Sequence, residues 1–182
     1  IRTPSGGAIA VNGTLTGTGN ASVTLIGSGA TTTLNADIVT AGTAIAIQDS
    51  VIVAGGTGVT RALDTTNGGT VVAGAAVTVT GTIQAQTAAP NNESLGIRAG
   101  TGGNVSLQGV IGGNEPLNNL TLVSAQNVSL PQTTLTGALL QTTGTGTTTL
   151  HGAVSAGAVD LTTSGAGGIA VASTLAATGG GA

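Results

Sequence analysis

The stretch Asn104-Val105-Ser106-Leu107 returns one repeat later as Asn127-Val128-Ser129-Leu130, and this repetition decides the fold. The position of Leu130 recurs at Leu150 and again at Val171, each step being close to the one before. Recurrence at a period of roughly 20 to 50 residues is typical of solenoid architectures. The spacing therefore predicts a chain that is wound into stacked coils.

A second series of apolar positions is interleaved with the first. It runs through Leu120, Leu139 and Val159 in nearly equal steps. Two interleaved series predict several short strands in each coil, with about 21 residues per coil and about eight to nine coils. We therefore predict an all-β fold, a parallel β-solenoid that forms a single domain over residues 1–182.

Short alternations of apolar and polar residues mark the predicted strands. Examples are Ile9-Ala10-Val11, Val23-Thr24-Leu25, Ile45-Ala46-Ile47 and Val77-Thr78-Val79, each bounded by Gly, Asn or Thr-Gly breaks. Alternation with period two places the apolar side chains on one face of a strand. Stacked coils would satisfy the backbone donors and acceptors from one coil to the next.

The composition excludes several classes of protein. The chain has no Cys, Met, Phe, Tyr or Trp, only 5% charged residues, 33 Gly and a net charge of -3. An apolar fraction of 40% argues against disorder, and Gly lacks the three-residue period of collagen. No apolar run reaches the ~18 residues of a membrane-spanning helix. Three basic residues are too few to form the basic patch that is typical of nucleic-acid-binding proteins.

Two stretches, 55–70 and 84–100, interrupt the spacing, and a smaller break follows at 112–117. A central strand rarely tolerates proline, so Pro90 and Pro116 favour loops. We expect loops near 55–70 and 84–100 to protrude from the rod as candidate recognition elements. Their polar and charged residues are Arg61, Asp64, Asn92, Glu93 and Arg98.

The pattern resembles the repeat regions of filamentous-haemagglutinin-type and autotransported bacterial surface adhesins. The resemblance is greatest over 101–173, in Gly103–Gly113, Pro116–Leu122, Val128–Leu130 and Leu150–Val154. It implies an elongated right-handed β-helix that is secreted and displayed at the cell surface. The absence of aromatic residues and the scarcity of charge depart from the usual host-binding face of such adhesins.

Six asparagines match the glycosylation acceptor pattern: Asn12, Asn20, Asn92, Asn104, Asn119 and Asn127. Most of them directly precede a predicted strand, where asparagine suits turn geometry, so the repeat creates the pattern by itself. Asn92, which lies in a predicted loop, and the outward-facing asparagines are the best candidates for modification. Asn104 and Asn127 could instead stack as a ladder that shares amide hydrogen bonds between coils.

The sequence offers little for catalysis. His151 is the sole histidine, and its nearest acid in sequence is Asp160. Asp37, Asp49 and Asp64 are separated by steps that are shorter than one coil, so they need not share a face. A sugar-cleaving β-helix needs clustered carboxylates on one face. We therefore expect no enzymatic activity.

We also expect no metal and no cofactor. Gly55–Thr60 comes closest to the calcium-binding nonapeptide but has Thr60 where that motif requires aspartate. The threonine runs Thr14–Thr18 and Thr143–Thr147 raise ice binding as an alternative function, although such runs do not recur once per coil.

The sequence thus predicts an extracellular structural protein, a repeat segment of a self-assembling surface fibre or adhesin stalk. The two ends, Ile1–Pro4 and Gly179–Ala182, suggest a chain that is cut from a longer one or matured by processing, and neither end resembles a polar cap. We expect identical subunits or flanking repeats to stack end to end on them. The alternative is a glycan- or protein-binding adhesin module that acts through 55–70 and 84–100.

Overall fold

The structure is a computed structural model that describes residues 1–3, 6–89 and 92–179; Pro4, Pro90 and the last residues of the predicted C-terminal end lie outside these ranges. It is a parallel β-solenoid, so the predicted fold class is confirmed. The coils in chain order contain β1 (Ile9–Val11), β2 (Leu15–Gly17) and β3 (Val23–Leu25); β4 (Thr31–Leu34), β5 (Ile38–Thr40) and β6 (Ile45–Ile47); β7 (Ser50–Val53), β8 (Thr60–Asp64) and β9 (Val77–Val79); β10 (Ile83–Ala85), β11 (Ser94–Arg98) and β12 (Val105–Leu107); β13 (Leu120–Ser124) and β14 (Val128–Leu130); β15 (Thr133–Thr134), β16 (Ala138–Gln141) and β17 (Thr148–Leu150); β18 (Val154–Ala156), β19 (Ala158–Leu161) and β20 (Ile169–Val171); and finally β21 (Leu175–Ala177).

The strands stack into three parallel faces around one core. Face 1 contains β1, β4, β7, β10, β15, β18 and β21, and Ile111 joins its two parts through isolated bridges to Ile83 and Thr133. Face 2 contains β2, β5, β8, β11, β13, β16 and β19, and face 3 contains β3, β6, β9, β12, β14, β17 and β20. Among the described residues there is no helix that is long and apolar enough to span a bilayer.

The predicted registers agree with the strand pairing. Val105 pairs with Val128 on face 3, and Leu139 pairs with both Leu120 and Val159 on face 2. A third series on face 1, which includes Thr133 paired with Val154, escaped the sequence pattern. The solenoid has about seven turns of about 23 residues, rather than eight to nine turns of about 21. A right-handed winding stays a prediction.

Strands occupy the middle of both stretches that the sequence assigned to loops. β8 lies within 55–70 and β11 within 84–100, and the two strands pair over five residues in the centre of face 2. Leu63 of β8 and Leu95 of β11 are fully buried. The extra residues of these coils therefore lie between strands, and neither stretch is a continuous loop.

The core consists of aliphatic columns that run along the rod. Leu25 and Ile47 pair on face 3, and both side chains have no exposed surface. The columns extend from Ile9 to Ala156 without aromatic residues. Each fully buried Val, Leu or Ile stabilises the fold by about 1.5–3 kcal/mol.

The chain turns sharply from face 3 into face 1, at what we term the tight corner (Gly27, Asp49, Gly81, Gly109, Gln132 and Gly152). A Cβ atom added to Gly109 would lie 2.4 Å from the carbonyl carbon of Gly81, and one added to Gly152 would lie 2.2 Å from the backbone nitrogen of Gln132. At Gly109 and Gly152 the neighbouring backbone approaches so closely that glycine is required.

Candidate functional site

Apolar side chains are exposed on one side of the last coil that the structure describes. Ile169 and Val171 of β20 and Leu175 of β21 continue the inward-facing columns of the core, yet they are 43%, 45% and 44% exposed. One coil earlier, Leu150 and Val154 in the same columns are 0% and 2% exposed. We term Ile169, Val171 and Leu175 the open coil, because no described residue covers their outer side.

Backbone hydrogen-bonding groups point outward from the same end. In face 3, Val128 and Thr148 donate their N–H groups to carbonyls of the next coil, at Thr147 and Gly168. Ile169 is paired with Thr148 and occupies the same column in the last coil. Its N–H group therefore points toward solvent, as expected at the edge of a parallel sheet. The open coil thus combines an apolar surface with unpaired strand edges.

Four of the five predicted recognition residues have side chains that hydrogen-bond to other groups of the rod: Arg61, Asp64, Asn92 and Glu93. The Asp64 carboxylate accepts hydrogen bonds from the N–H groups of Thr66 at 2.6 Å and Gly68 at 2.9 Å. Asn92 is 1% exposed, and its amide donates to the carbonyl of Pro116 at 2.6 Å. Glu93 is fully buried. The bonds of Asn92 hold neighbouring coils together, whereas those of Asp64 close the turn that follows β8.

Glu93 connects two turns of successive coils. Its carboxylate accepts hydrogen bonds from the N–H groups of Gly56 at 3.1 Å, Gln86 at 3.1 Å and Thr87 at 2.9 Å, and from the Thr87 hydroxyl at 2.8 Å. Burial raises the pKa of Glu93, but the hydrogen bonds from Thr87 and Gly56 outweigh it, so the pKa lies below its ordinary value. The carboxylate is a structural anion.

Arg61 hydrogen-bonds within the rod, whereas Arg98 lines an outer groove. Arg61 is half-buried, and its Nε donates to the carbonyl of Ala54 at 2.7 Å. Arg98 pairs with Asp64 across face 2 and lies beside a shallow groove of about 290 Å³. The groove is lined by Thr60, Ala62, Asp64, Gly96, Ile97, Arg98, Thr121 and Val123. Of the predicted recognition residues, the structure brings only Asp64 and Arg98 together on an outer face.

The remaining acidic residues and the histidine do not converge on a catalytic centre. Asp49 accepts hydrogen bonds from the Gly27 N–H at 2.6 Å and the Thr32 hydroxyl at 2.9 Å, and Asp37 accepts one from the Ala62 N–H at 2.9 Å. His151 directly follows a strand of face 3, whereas Asp160 lies on a strand of face 2. Within the described ranges no three His, Asp or Glu side chains are placed to hold a metal ion.

The six acceptor asparagines differ in their exposure. Four are exposed, one is half-buried and one is buried; in that order they are Asn12, Asn20, Asn104 and Asn127, then Asn119, then Asn92. Asn92 was among the best sequence candidates, but its amide is enclosed and donates to the Pro116 carbonyl and to the Thr136 hydroxyl. Modification at Asn92 is incompatible with this packing, because a glycan must attach to that amide nitrogen.

Asn104 and Asn127 are brought together at the start of neighbouring strands. The Asn127 amide donates to Oδ1 of Asn104 at 2.9 Å, and Oδ1 of Asn127 accepts from the Thr147 N–H at 2.9 Å. Asn35 and Asn12 form the same contact at 2.9 Å near the other end of the rod. These ladders satisfy turn groups between coils.

Small side chains form one outward column along the whole of face 3. The paired residues are Thr24, Ala46, Thr78, Ser106, Ser129, Thr149 and Ala170. The corresponding column of face 2 admits Leu140 and Asp160. The threonine runs singled out in the sequence do not provide this column, which became visible only once the strand registers were known.

The sequence reasoning also missed a groove on face 1 that is lined by both polar and aliphatic residues. It has a volume of about 250 Å³ and is lined by Thr82, Ile83, Gln84, Val110, Gly113 and Asn114. The available signal was the break at 112–117, where two glycines precede Asn114. No function was predicted for residues 112–117, because nothing in the sequence places them beside Gln84.

Comparisons with known proteins leave the family undetermined. No protein-family model matches the sequence, and neither a curated protein nor a solved structure is significantly similar to it. The architecture is compatible with a β-helix repeat protein, and the adhesin resemblance rests on the sequence pattern alone.

Proposed function

We propose that the chain is a structural segment of an extracellular rod, a surface fibre or adhesin stalk, in which another β-coil stacks on the open coil. The covering coil belongs to an identical subunit or to a flanking repeat. The observation that carries the proposal is the exposure of Ile169, Val171 and Leu175 at 43–45%, in columns that are otherwise closed. Each of these side chains would gain about 1 kcal/mol on being covered, given about 25 cal/mol per Å² of apolar surface.

The other features agree with a scaffold. The described carboxylates of Asp37, Asp49, Asp64 and Glu93 bond to backbone groups of the rod. Such a scaffold has no need of catalytic groups, and we expect no enzymatic activity. The resemblance to surface-displayed repeat proteins supports an extracellular location.

The stacking of a further coil can be tested by substituting proline where a backbone N–H group of the last coil points away from the preceding coil. Val171 and Ala177 alternate with Ala172 and Thr178, whose N–H groups bond to the preceding coil. The double variant Val171→Pro/Ala177→Pro therefore blocks an added coil and leaves the internal ladder intact. The matched control, Ala170→Glu/Ala176→Lys, changes the outward faces of the same strands.

We expect sedimentation velocity to show concentration-dependent oligomers for the unchanged chain and the control, and monomers for the proline variant. An unchanged chain that is monomeric at high concentration contradicts stacking on identical subunits. If the covering coil belongs to a flanking repeat, amide hydrogen exchange in the native material provides the test. Slow exchange at Ile169 and Val171 supports the proposal, and fast exchange there overturns it.

Ice binding is the second candidate function, and the small-residue column of face 3 favours it. Hydroxyl groups recur in five of its seven positions at a spacing of about 4.8 Å, and none of the seven is charged. We expect inhibition of ice recrystallisation, which Ser106→Lys/Ser129→Lys abolishes and Thr134→Lys/Ser155→Lys on face 1 leaves unchanged. Equal loss in both variants, or no inhibition by the unchanged chain, rejects this function.

A further inference from the structure

Face 1 contains a three-residue insertion beside β10. Ile83 donates its N–H to the carbonyl of Val110 at 3.0 Å, and its carbonyl accepts the N–H of Gly112 at 2.7 Å, as a regular parallel ladder requires. The next bond of that ladder would join Ala85 to the carbonyl of Gly112. Ala85 instead donates to the carbonyl of Glu115 at 3.0 Å. Residues 113–115 are therefore extra, and we term 112–115 the face 1 bulge.

The conformation of the face 1 bulge depends on glycine. Gly112 has φ +67°, and a Cβ atom there would lie 2.1 Å from the carbonyl oxygen of Thr134 and 2.9 Å from Cα of Pro116. A side chain is excluded on both grounds. Bulges of this kind are found beside functional sites, where they redirect a side chain. Here the bulge carries Asn114 to the groove that Gln84 also lines.

The groove presents uncharged polar groups that lack partners. Gln84 is half-buried and Asn114 is exposed, and neither side-chain amide bonds to a described residue. The Thr82 hydroxyl donates to the Ser50 hydroxyl at 3.0 Å and so retains acceptor capacity toward the groove. The aliphatic atoms of Val110 and Ile83 complete the lining, which includes no charged residue.

This combination points to a neutral ligand that is rich in hydroxyl groups. Each amide offers one carbonyl acceptor and two N–H donors, which match a pair of neighbouring hydroxyls. A charged ligand would lose its hydration without meeting an opposite charge. The aliphatic patch suits the C–H face of a sugar ring. The volume of about 250 Å³ lies below the range of drug-sized pockets, so it corresponds to one sugar unit.

A peptide fits the groove less well. Extended peptides gain most of their affinity by adding a strand to a free sheet edge. Ile83 is bonded to the coil above through Val110 and Gly112, so β10 has no free edge at this point. We propose that the groove beside the face 1 bulge binds a neutral saccharide unit, with Gln84 and Asn114 as the specificity-determining side chains. This binding site is separate from the open coil and does not depend on stacking.

The test uses the full chain against an array of neutral and uronate-containing oligosaccharides, together with a library of unmodified peptides. Titration of the best neutral oligosaccharide is then followed by NMR of the side-chain amides. We expect binding of neutral sugars and shifts of the Gln84 and Asn114 amide signals. Gln84→Ala and Asn114→Ala should each weaken the affinity about tenfold, as expected for loss of one hydrogen-bonding partner.

Gln108 is exposed, directly follows β12 and does not line the groove, so Gln108→Ala is the matched control and should bind like the unchanged chain. Circular dichroism should show that all three variants keep their fold, because none of the three side chains is buried in the core. The proposal is overturned by any of three outcomes: no neutral sugar binds, affinity is insensitive to both groove variants, or the groove variants abolish binding of a peptide or a uronate instead.

Discussion

Gly109→Ala should destabilise the solenoid far more than an alanine substitution usually does. Gly109 lies in the tight corner without a positive φ, so alanine can adopt its backbone conformation. The new Cβ would lie 2.4 Å from the carbonyl carbon and oxygen of Gly81 and 2.6 Å from the backbone nitrogen of Thr82. Ordinary carbon contacts are about 3.5–4.0 Å, so the two coils must separate by about 1 Å.

The cost follows from the rigidity of the neighbour. Overpacking a core costs about 1–3 kcal/mol when side chains can adjust. At Gly109 the opposing atoms belong to the backbone of a hydrogen-bonded coil, so we expect about 3 kcal/mol, the upper end of that range. For a chain of this size the corresponding fall in Tm is about 6–12 °C.

Gly96→Ala is the matched control. Gly96 lies in β11, and a Cβ atom there would meet Thr60 at 3.7 Å and Arg61 at 3.8 Å, which are ordinary contacts. Alanine also restricts the unfolded chain, so this variant should be more stable by about 0.4–1 kcal/mol. The two variants have identical compositions but opposite expected signs.

Guanidinium unfolding followed by circular dichroism measures both variants, since the chain has no tryptophan or tyrosine for fluorescence. The reasoning predicts a lower midpoint for Gly109→Ala and an equal or higher midpoint for Gly96→Ala. It would be refuted by equal midpoints, or by destabilisation at Gly96 alone. Either result would mean that the tight corner does not have the close backbone contact described above.

Two further predictions concern hydrogen bonds between coils. Glu93→Gln should cost about 2–4 kcal/mol, because an amide cannot accept from Gly56, Gln86 and Thr87 together and its NH₂ would face a donor. Since the pKa of Glu93 is lowered in the fold, its stabilisation is complete above the ordinary pKa of about 4.3 and is lost as the pH falls below it. Unfolding midpoints measured from neutral to acid pH should therefore fall less steeply in the variant; parallel curves would contradict this. Asn127→Ala should cost about 1 kcal/mol by breaking the ladder with Asn104, whereas Asn20→Ala, at an exposed turn, should stay within about 0.5 kcal/mol; equal effects in chemical unfolding would show that the ladder contributes nothing.

The registers could be predicted where the coils are regular. Between 101 and 173 the steps from Leu120 to Leu139 and on to Val159 are nearly equal, and the apolar pattern sufficed to align them. The earlier coils carry insertions, so that Ile45 pairs with Val77 across a much longer step. An average drawn from the regular part therefore gave too many coils. Between 101 and 173 the strands of face 1 were missed, because they begin with Thr133 or are reduced to Ile111.

The roles of the polar residues could not be predicted, because their partners lie on other coils. Glu93 accepts from Gly56, 37 residues away, and Asn92 bonds to Thr136, 44 residues away. In sequence the same residues adjoin Pro90 and resemble an exposed loop. Short-range signals identify where regular stacking is interrupted, and only the register shows which side chains the interruption encloses.

Electron cryomicroscopy of the native material tests most directly whether the open coil is covered. Seven coils at about 4.8 Å would form a rod of about 34 Å. Stacking predicts rods longer than this, with a continuous axial repeat of about 4.8 Å that passes through Ile169, Val171 and Leu175. Separate particles of about 34 Å that end at a solvent-exposed coil would contradict it.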